Sequence, residues 1–180
     1  MEYVILGLLM HTQQTIYSIN KMFQDIISLF YHASYGSLQT SLKKLEHKAW
    51  ITSSYVTESG RNKRYYHITE LGKKSFYEWM KSDFHEIKPS LFYTKIFFMG
   101  YMDDHMTRIN IVKNMYDLVK ESYEQLAILN HTVPTVAPDV RLQPLLDSQL
   151  RMLDLGMKST HVEMIWLETW LKGLMKGEPS

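Results

Sequence analysis

Gln39, Thr40, Lys43, Lys44 and His47 recur at the spacing of one helix turn, with Ser37 just ahead of them. At about 100° per residue their side chains share one side of a helix, away from Leu38, Leu42 and Leu45. Ammonium groups and helix-terminal hydroxyls suit phosphate oxygens, and the Gln39 amide can pair with the edge of an adenine. Further along, Arg61, Lys63 and Arg64 place three cations within four positions, beside Gly60 and Asn62. A turn so charged is expected to approach a phosphate backbone or a minor groove. Tyr17 offers a phenol hydroxyl that either touches phosphate or packs against its neighbours. This is the chemistry of binding nucleic acid.

Bond-making chemistry has little to draw on. There is no cysteine, which excludes thiolate catalysis, disulfides and cysteine-bound zinc. The eight histidines are scattered, with no His-x-x-x-His or His-x-His spacing to hold a metal. No glycine-rich phosphate loop and no Gly-x-Ser-x-Gly elbow occurs. The expectation is a protein that is not an enzyme and uses neither cofactor nor metal. Apolar residues make up 45% and charged residues 22% of the 180-residue chain, enough for a globular core. The apolar run Ile96 to Met102 is far short of a membrane span, and the start has no secretory pattern. A cytoplasmic, nucleoid-associated protein is expected. Net charge is +1, but residues 1–85 hold 10 Lys+Arg against 7 Asp+Glu, while residues 86–180 hold 10 against 12. The basic side of this mild asymmetry is the N-terminal half.

The elements that must position these residues follow from periodicity. Tyr3 to Met10 is apolar apart from Gly7 and reads as a buried helix, followed by a polar break over 11–15. Ile16, Ile19, Phe23 and Ile26/Ile27 then mark an amphipathic helix, and 31–36 a second break. Leu38, Leu42 and Leu45, continued by Ala49, predict the buried stripe of a third helix, capped by Ser34 or Ser37. Ile51–Thr57 and Arg64–Thr69 are rich in β-branched and aromatic residues and predict a hairpin around 58–63. Thr69 can cap a fourth helix that buries Leu71, Phe76, Trp79 and Met80. Three helices, a two-stranded hairpin and a further helix make a winged helix-turn-helix.

The second half is helical throughout. After a short apolar segment, Asp103-Asp104 can cap a helix with Ile109, Val112, Tyr116, Val119, Tyr123 and Leu126 on one side. A break with two prolines, Pro134 and Pro138, precedes a longer seam of Leu146, Leu150, Leu153, Met157, Thr160, Met164, Leu167, Leu171 and Leu174. Such a seam extends roughly 42 Å at 1.5 Å per residue and asks for a partner helix. The Ile109–Leu126 helix of the same chain is one candidate and a second copy is the other. The expectation adopted is a homodimer whose interface is this seam, Thr160 excepted. The fold class expected is mainly α with a small β-hairpin wing: a winged-helix DNA-binding domain over 1–85 and a helical dimerisation domain over 86–180.

Gly36-Ser37-Leu38-Gln39-Thr40-Ser41-Leu42-Lys43-Lys44-Leu45-Glu46 resembles the recognition-helix signature of PadR-like transcriptional regulators. The likeness extends to Ile5-Leu6-Gly7-Leu8-Leu9, to Lys63-Arg64-Tyr65-Tyr66-His67-Ile68-Thr69-Glu70-Leu71-Gly72, and to the Phe92–Met102 segment and the Trp166–Trp170 region. The sequence departs from the family pattern where Tyr35 replaces a usual Pro, Gln39 a usual Tyr, and Thr15-Ile16-Tyr17 a usual His-Gly-Tyr. The resemblance implies a homodimer that binds a roughly palindromic operator in double-stranded DNA and usually represses the adjacent gene. It also implies release by a small hydrophobic or phenolic effector, for which Trp79, Phe92 and Trp166 are the candidate contacts. Two alternatives are a virulence-activator-like regulator without a ligand and a winged helix adapted to docking another protein.

Overall fold

A computed structural model of the chain describes residues 1–25, 27, 34–58, 60–82, 89–136 and 139–177. Ile26, the 31–33 part of the second break, Ser59 and Pro138 lie outside the described residues. The described residues form two compact units, one over 1–82 and 89–103 and the other over 104–177. Residues 89–103 group with the N-terminal unit.

The first unit is a winged helix-turn-helix. Helix α1 (Glu2–Leu9) buries Val4, Ile5, Leu6, Leu8 and Leu9, and a helix apolar on all sides belongs in a core. Strand β1 (Gln14–Thr15) leads into α2 (Ile16–Asp25), which buries Ile19 and Phe23. Thr15 and Ser18 start α2 by exchanging side-chain bonds with each other's backbone amides, at 3.1 and 2.9 Å. Helix α3 (Tyr35–His47) is capped by Ser34, whose hydroxyl accepts from the Ser37 amide while the Ser37 hydroxyl accepts from the Ser34 amide. Leu38, Leu42 and Leu45 are fully buried, as their spacing predicts.

Ala49 does not continue that stripe. It is exposed, with φ 55°, and the Trp50 amide donates to the Leu45 carbonyl. This left-handed residue closes the helix and turns the chain into the sheet. Strand β2 (Ile51–Glu58) pairs antiparallel with β3 (Arg61–Ile68) from Ile51↔Ile68 to Glu58↔Arg61. The sheet has a third strand that the sequence pattern did not signal, because β1 pairs with β3 at Gln14↔Tyr66 and Thr15↔Tyr65. A two-residue strand is too short to show alternation.

Helix α4 (Glu70–Lys81) is capped by Thr69, whose hydroxyl accepts from the Gly72 amide and also faces the Trp50 carbonyl at 3.0 Å. Phe76 and Met80 are buried and Trp79 half-buried, but Leu71 is 52% exposed because it sits on the outer side of the first turn. Helix α5 (Pro89–Phe97) and a short 3-10 turn, Met99–Tyr101, complete the unit. The Phe98 ring lies flat on Gly7, where a Cβ would meet its Cζ at 2.4 Å. Lys95 is fully buried, donating to the Ser82 carbonyl at 2.5 Å beside the Trp79 ring.

The second unit is a helical hairpin of α6 (His105–Thr132) and α7 (Gln143–Lys176), with Asp104 capping α6 as expected. Leu126 lies against Gly156 and Tyr123 stacks on His161, so the two helices run antiparallel. Val112 and Val119 are buried together with Ile111 and Met115, and α7 contributes Leu146, Leu153, Leu167 and Leu174. No helix among the described residues is long and apolar enough to cross a membrane.

Gly72 is required where it stands: a Cβ there would lie 2.0 Å from the Trp50 carbonyl oxygen, a backbone atom that cannot swing aside. Gly72→Ala is expected to destabilise the chain by about 1–3 kcal/mol, the cost of overpacking, read as a lower urea midpoint with unchanged slope. An unshifted midpoint would show that the α3–β2 elbow gives way freely.

Candidate nucleic-acid interface

With the leucine stripe turned inward, α3 presents Gln39, Thr40, Lys43, Lys44 and His47 to solvent, as the sequence predicts. The side chains of Lys43 and Lys44 form no hydrogen bond or ion pair among the described residues, so both ammonium groups are available to an anion. The Thr40 hydroxyl donates to the Gly36 carbonyl at 2.9 Å and keeps its acceptor side free. Ser37 is exposed, but its hydroxyl is committed to the cap, donating to the Ser34 carbonyl at 2.7 Å.

The wing differs from the expectation that Arg61 and Lys63 lie on a loop, with Arg64 at the strand edge. Arg61, Lys63 and Arg64 are strand residues, and of their side chains that of Arg61 alone has no hydrogen bond or ion pair among the described residues. Lys63 donates to Glu58 at 2.6 Å, and the Tyr65 hydroxyl donates to the other oxygen of the same carboxylate at 2.6 Å. The bond from Lys63, seconded by that from Tyr65, holds Glu58 below the usual glutamate pKa, and the bond to Glu58 raises Lys63. Arg64 donates from Nη2 to Glu46 on α3 at 2.6 Å and from Nε to the Ser53 hydroxyl at 3.0 Å. Burial works against its charge, yet Tyr66 and Glu46 more than offset that and raise its pKa. Tight antiparallel pairing extends the strands almost to the tip, which is why side chains expected on a loop find cross-strand partners.

Tyr17 is 74% exposed and lines an open concavity of about 470 Å³ with Gln14, Thr15, Ile16, Ser18, Lys63, Arg64 and Tyr65. Its exposure favours the phosphate reading over the packed one. Tyr55, 71% exposed, was not singled out by the sequence, although strand alternation puts it on the same side as its cross-strand partner Arg64.

The α7 seam packs within the chain. Leu146, Leu153, Leu167 and Leu174 are buried, and Leu150, Met157, Met164 and Leu171 half-buried, within a single chain. The α6 helix of the same chain, one of the two partners the spacing allowed, packs against them. A different row, Leu145, Met152, Leu155, Val162 and Trp166, lies exposed on the other side of α7. The candidate effector contacts are divided between the two units. Trp79 stacks on Tyr3 with ring centroids 4.9 Å apart, Phe92 is buried in the first unit, and Trp166 neighbours Trp170 in the second. A cavity of about 420 Å³ in the first unit is lined instead by Gly7, Leu8, His11, Thr12, Gln14, Met22, Phe97, Phe98, Gly100 and Tyr101.

The family described as "Transcriptional regulator PadR-like family" matches residues 5–78, the span from α1 through most of α4. Over those residues the chain is similar to the PadR-like family. The negative transcriptional regulator PadR of Bacillus subtilis (strain 168) is 28% identical over 81 residues, which are 44% of each chain. The alignment thus spans less than half the length of that relative. Similar solved structures include smu.1604c from Streptococcus mutans UA159, 27% identical with a TM-score of 0.45, covering 95% of this chain and 98% of that one. Bacillus subtilis PadR in complex with operator DNA is 20% identical with a TM-score of 0.43, covering 96% and 98%. The PadR-like match takes in both α3 and the wing, the two elements that carry the cationic residues.

Proposed function

We propose that this PadR-like protein is a transcription regulator that binds double-stranded DNA as a homodimer and represses from a palindromic operator. The observation that carries the reading is the outer side of α3. Lys43 and Lys44 stand unpaired beside Gln39 and Thr40, opposite three fully buried leucines and next to a wing ending in Arg61. A rigid helix with cationic and amide groups on its free side fits the major groove, and a hairpin beside it reaches the flanking backbone. Arg61 and Tyr17 supply backbone contacts, and Lys63 and Arg64 lie close behind them. The name of the Bacillus subtilis relative, a negative regulator, supports repression as the sign of control.

Two copies are needed for a palindrome, and the exposed row on α7 supports where they meet. Leu145, Met152, Leu155, Val162 and Trp166 form an apolar stripe opposite the seam that α6 occupies. Exposed apolar rows of this length mark association surfaces. Joining them must set two α3 helices about 34–36 Å apart to match one DNA turn. The cavity lined by Met22, Phe98 and Tyr101 supports a small hydrophobic effector, with His11, Thr12 and Gln14 available to bond a hydroxyl or carboxylate.

Lys43→Ala and Lys44→Ala are each expected to weaken binding to every duplex and to lower the salt slope by about one counterion. If both variants bind like the parent at all salt concentrations, α3 is not the DNA-facing surface. Val162→Glu is expected to shift the protein from dimer to monomer in sedimentation velocity while Glu in place of the half-buried Leu150 unfolds the hairpin; an intact Val162→Glu dimer would move the interface elsewhere. For the cavity, para-hydroxybenzoate is expected to raise the melting temperature of the parent and not of Met22→Trp, which fills the space. Equal shifts in both proteins would place the ligand at another site.

A further inference from the structure

Arg64 is the most heavily engaged cation near α3, and its partners come from three elements. Its Nη2 donates to Glu46 Oε1 at 2.6 Å, on the last turn of α3. Its Nε donates to Ser53 Oγ on β2 at 3.0 Å, and Ser53 Oγ donates in turn to Glu46 Oε1 at 2.7 Å. The three side chains close a ring in which the hydroxyl accepts from one partner and gives to the other. The guanidinium also lies 5.1 Å from the buried Tyr66 ring and 6.0 Å from Tyr55. Planar, multiply bonded arginine of this kind fixes geometry in a way that a flexible lysine cannot. By contrast Lys43, Lys44 and Arg61 form no ion pair among the described residues.

We propose that Glu46, Ser53 and Arg64 form a clamp that fixes the wing against α3, so that Arg64 sets discrimination between operator and unrelated duplex by positioning and does not itself neutralise a phosphate. The inference rests on the DNA-binding reading above and revises the part of it that a bare count of wing cations suggests. A helix and a hairpin read one stretch of DNA together only if their spacing is held. Unrelated duplex, bound through phosphates alone, tolerates a loose wing, because non-specific binding depends on the number of cations and little on their exact register. The acidic partner also explains itself: a carboxylate at the edge of a DNA-facing helix repels phosphate unless an arginine occupies it.

The experiment uses the full chain, a duplex enriched from random sequence by the parent protein, and a scrambled duplex of equal length. Glu46→Ala and Arg64→Ala are each expected to weaken binding to the enriched duplex about tenfold, with scrambled-duplex binding and both salt slopes nearly unchanged. The double variant is expected to be no worse than either single one, since both remove the same clamp. Glu46→Gln, which keeps an acceptor for Arg64 and Ser53, is expected to recover most of the loss. The proposal is overturned if Arg64→Ala lowers the salt slope by about one on both duplexes, or if Glu46→Ala tightens binding by releasing Arg64 to the phosphates. Amide hydrogen exchange without DNA supplies a readout independent of binding. Glu46→Ala is expected to speed exchange in β2 and β3 while sparing α6 and α7, and unchanged exchange in the wing would show that no clamp exists. Should the parent bind neither duplex, the DNA-binding reading fails, and the exchange result alone decides the clamp.

Discussion

The way α3 is held constrains everything that follows from it. Its inner side is fixed by three fully buried leucines, its start by the reciprocal Ser34–Ser37 cap, and its end by Ala49 in a left-handed conformation. That last residue aims the Trp50 carbonyl at the start of α4, where Thr69 bonds it and Gly72 alone leaves room for it. Because the apolar side is used completely, the polar side has no competing packing role. Lys43 and Lys44 are therefore free to meet an external anion, and the core fixes the helix face from which they project.

Carboxylates shape the wing as much as cations do. Glu58 gathers Lys63 and Tyr65, and Glu46 gathers Arg64 and Ser53, so much of the positive charge around the hairpin is balanced internally. Isolated surface pairs of this kind contribute only about 0–1 kcal/mol to stability. Their consequence is geometric: side chains that would otherwise sweep through solvent are held close to the sheet. The modest basic excess of residues 1–85 agrees with this, since the surface relies on a few directed groups more than on bulk attraction.

Helices and hairpin were legible because their signals are local. The leucine spacing of α3, the β-branched runs of the wing, and the caps Ser34, Thr69 and Asp104 can each be read within a few residues. What escaped depends on distant partners. Strand β1 exists because Gln14 and Thr15 find β3 some fifty residues later, and two residues carry no period of their own. The Glu46–Arg64 pair spans the α3–β3 gap, and no spacing rule announces it. The α7 seam was visible as a seam, but periodicity cannot say whether the helix that covers it belongs to the same chain. Here α6 covers it, and the exposed row Leu145–Trp166 on the opposite side was masked by interspersed polar residues. The exposure of Leu71 and Ala49 has the same origin, since each falls at a helix end where the inward direction is set by tertiary turns.

The central claim is that α3 and the wing together meet duplex DNA. Backbone amide chemical shifts of the full chain, followed while duplex is added, test it most directly. The account predicts that the largest changes fall on residues 36–47 and 60–64, with the α6–α7 seam unmoved. Changes concentrated on α6 or α7, or spread without preference over the surface, would contradict it.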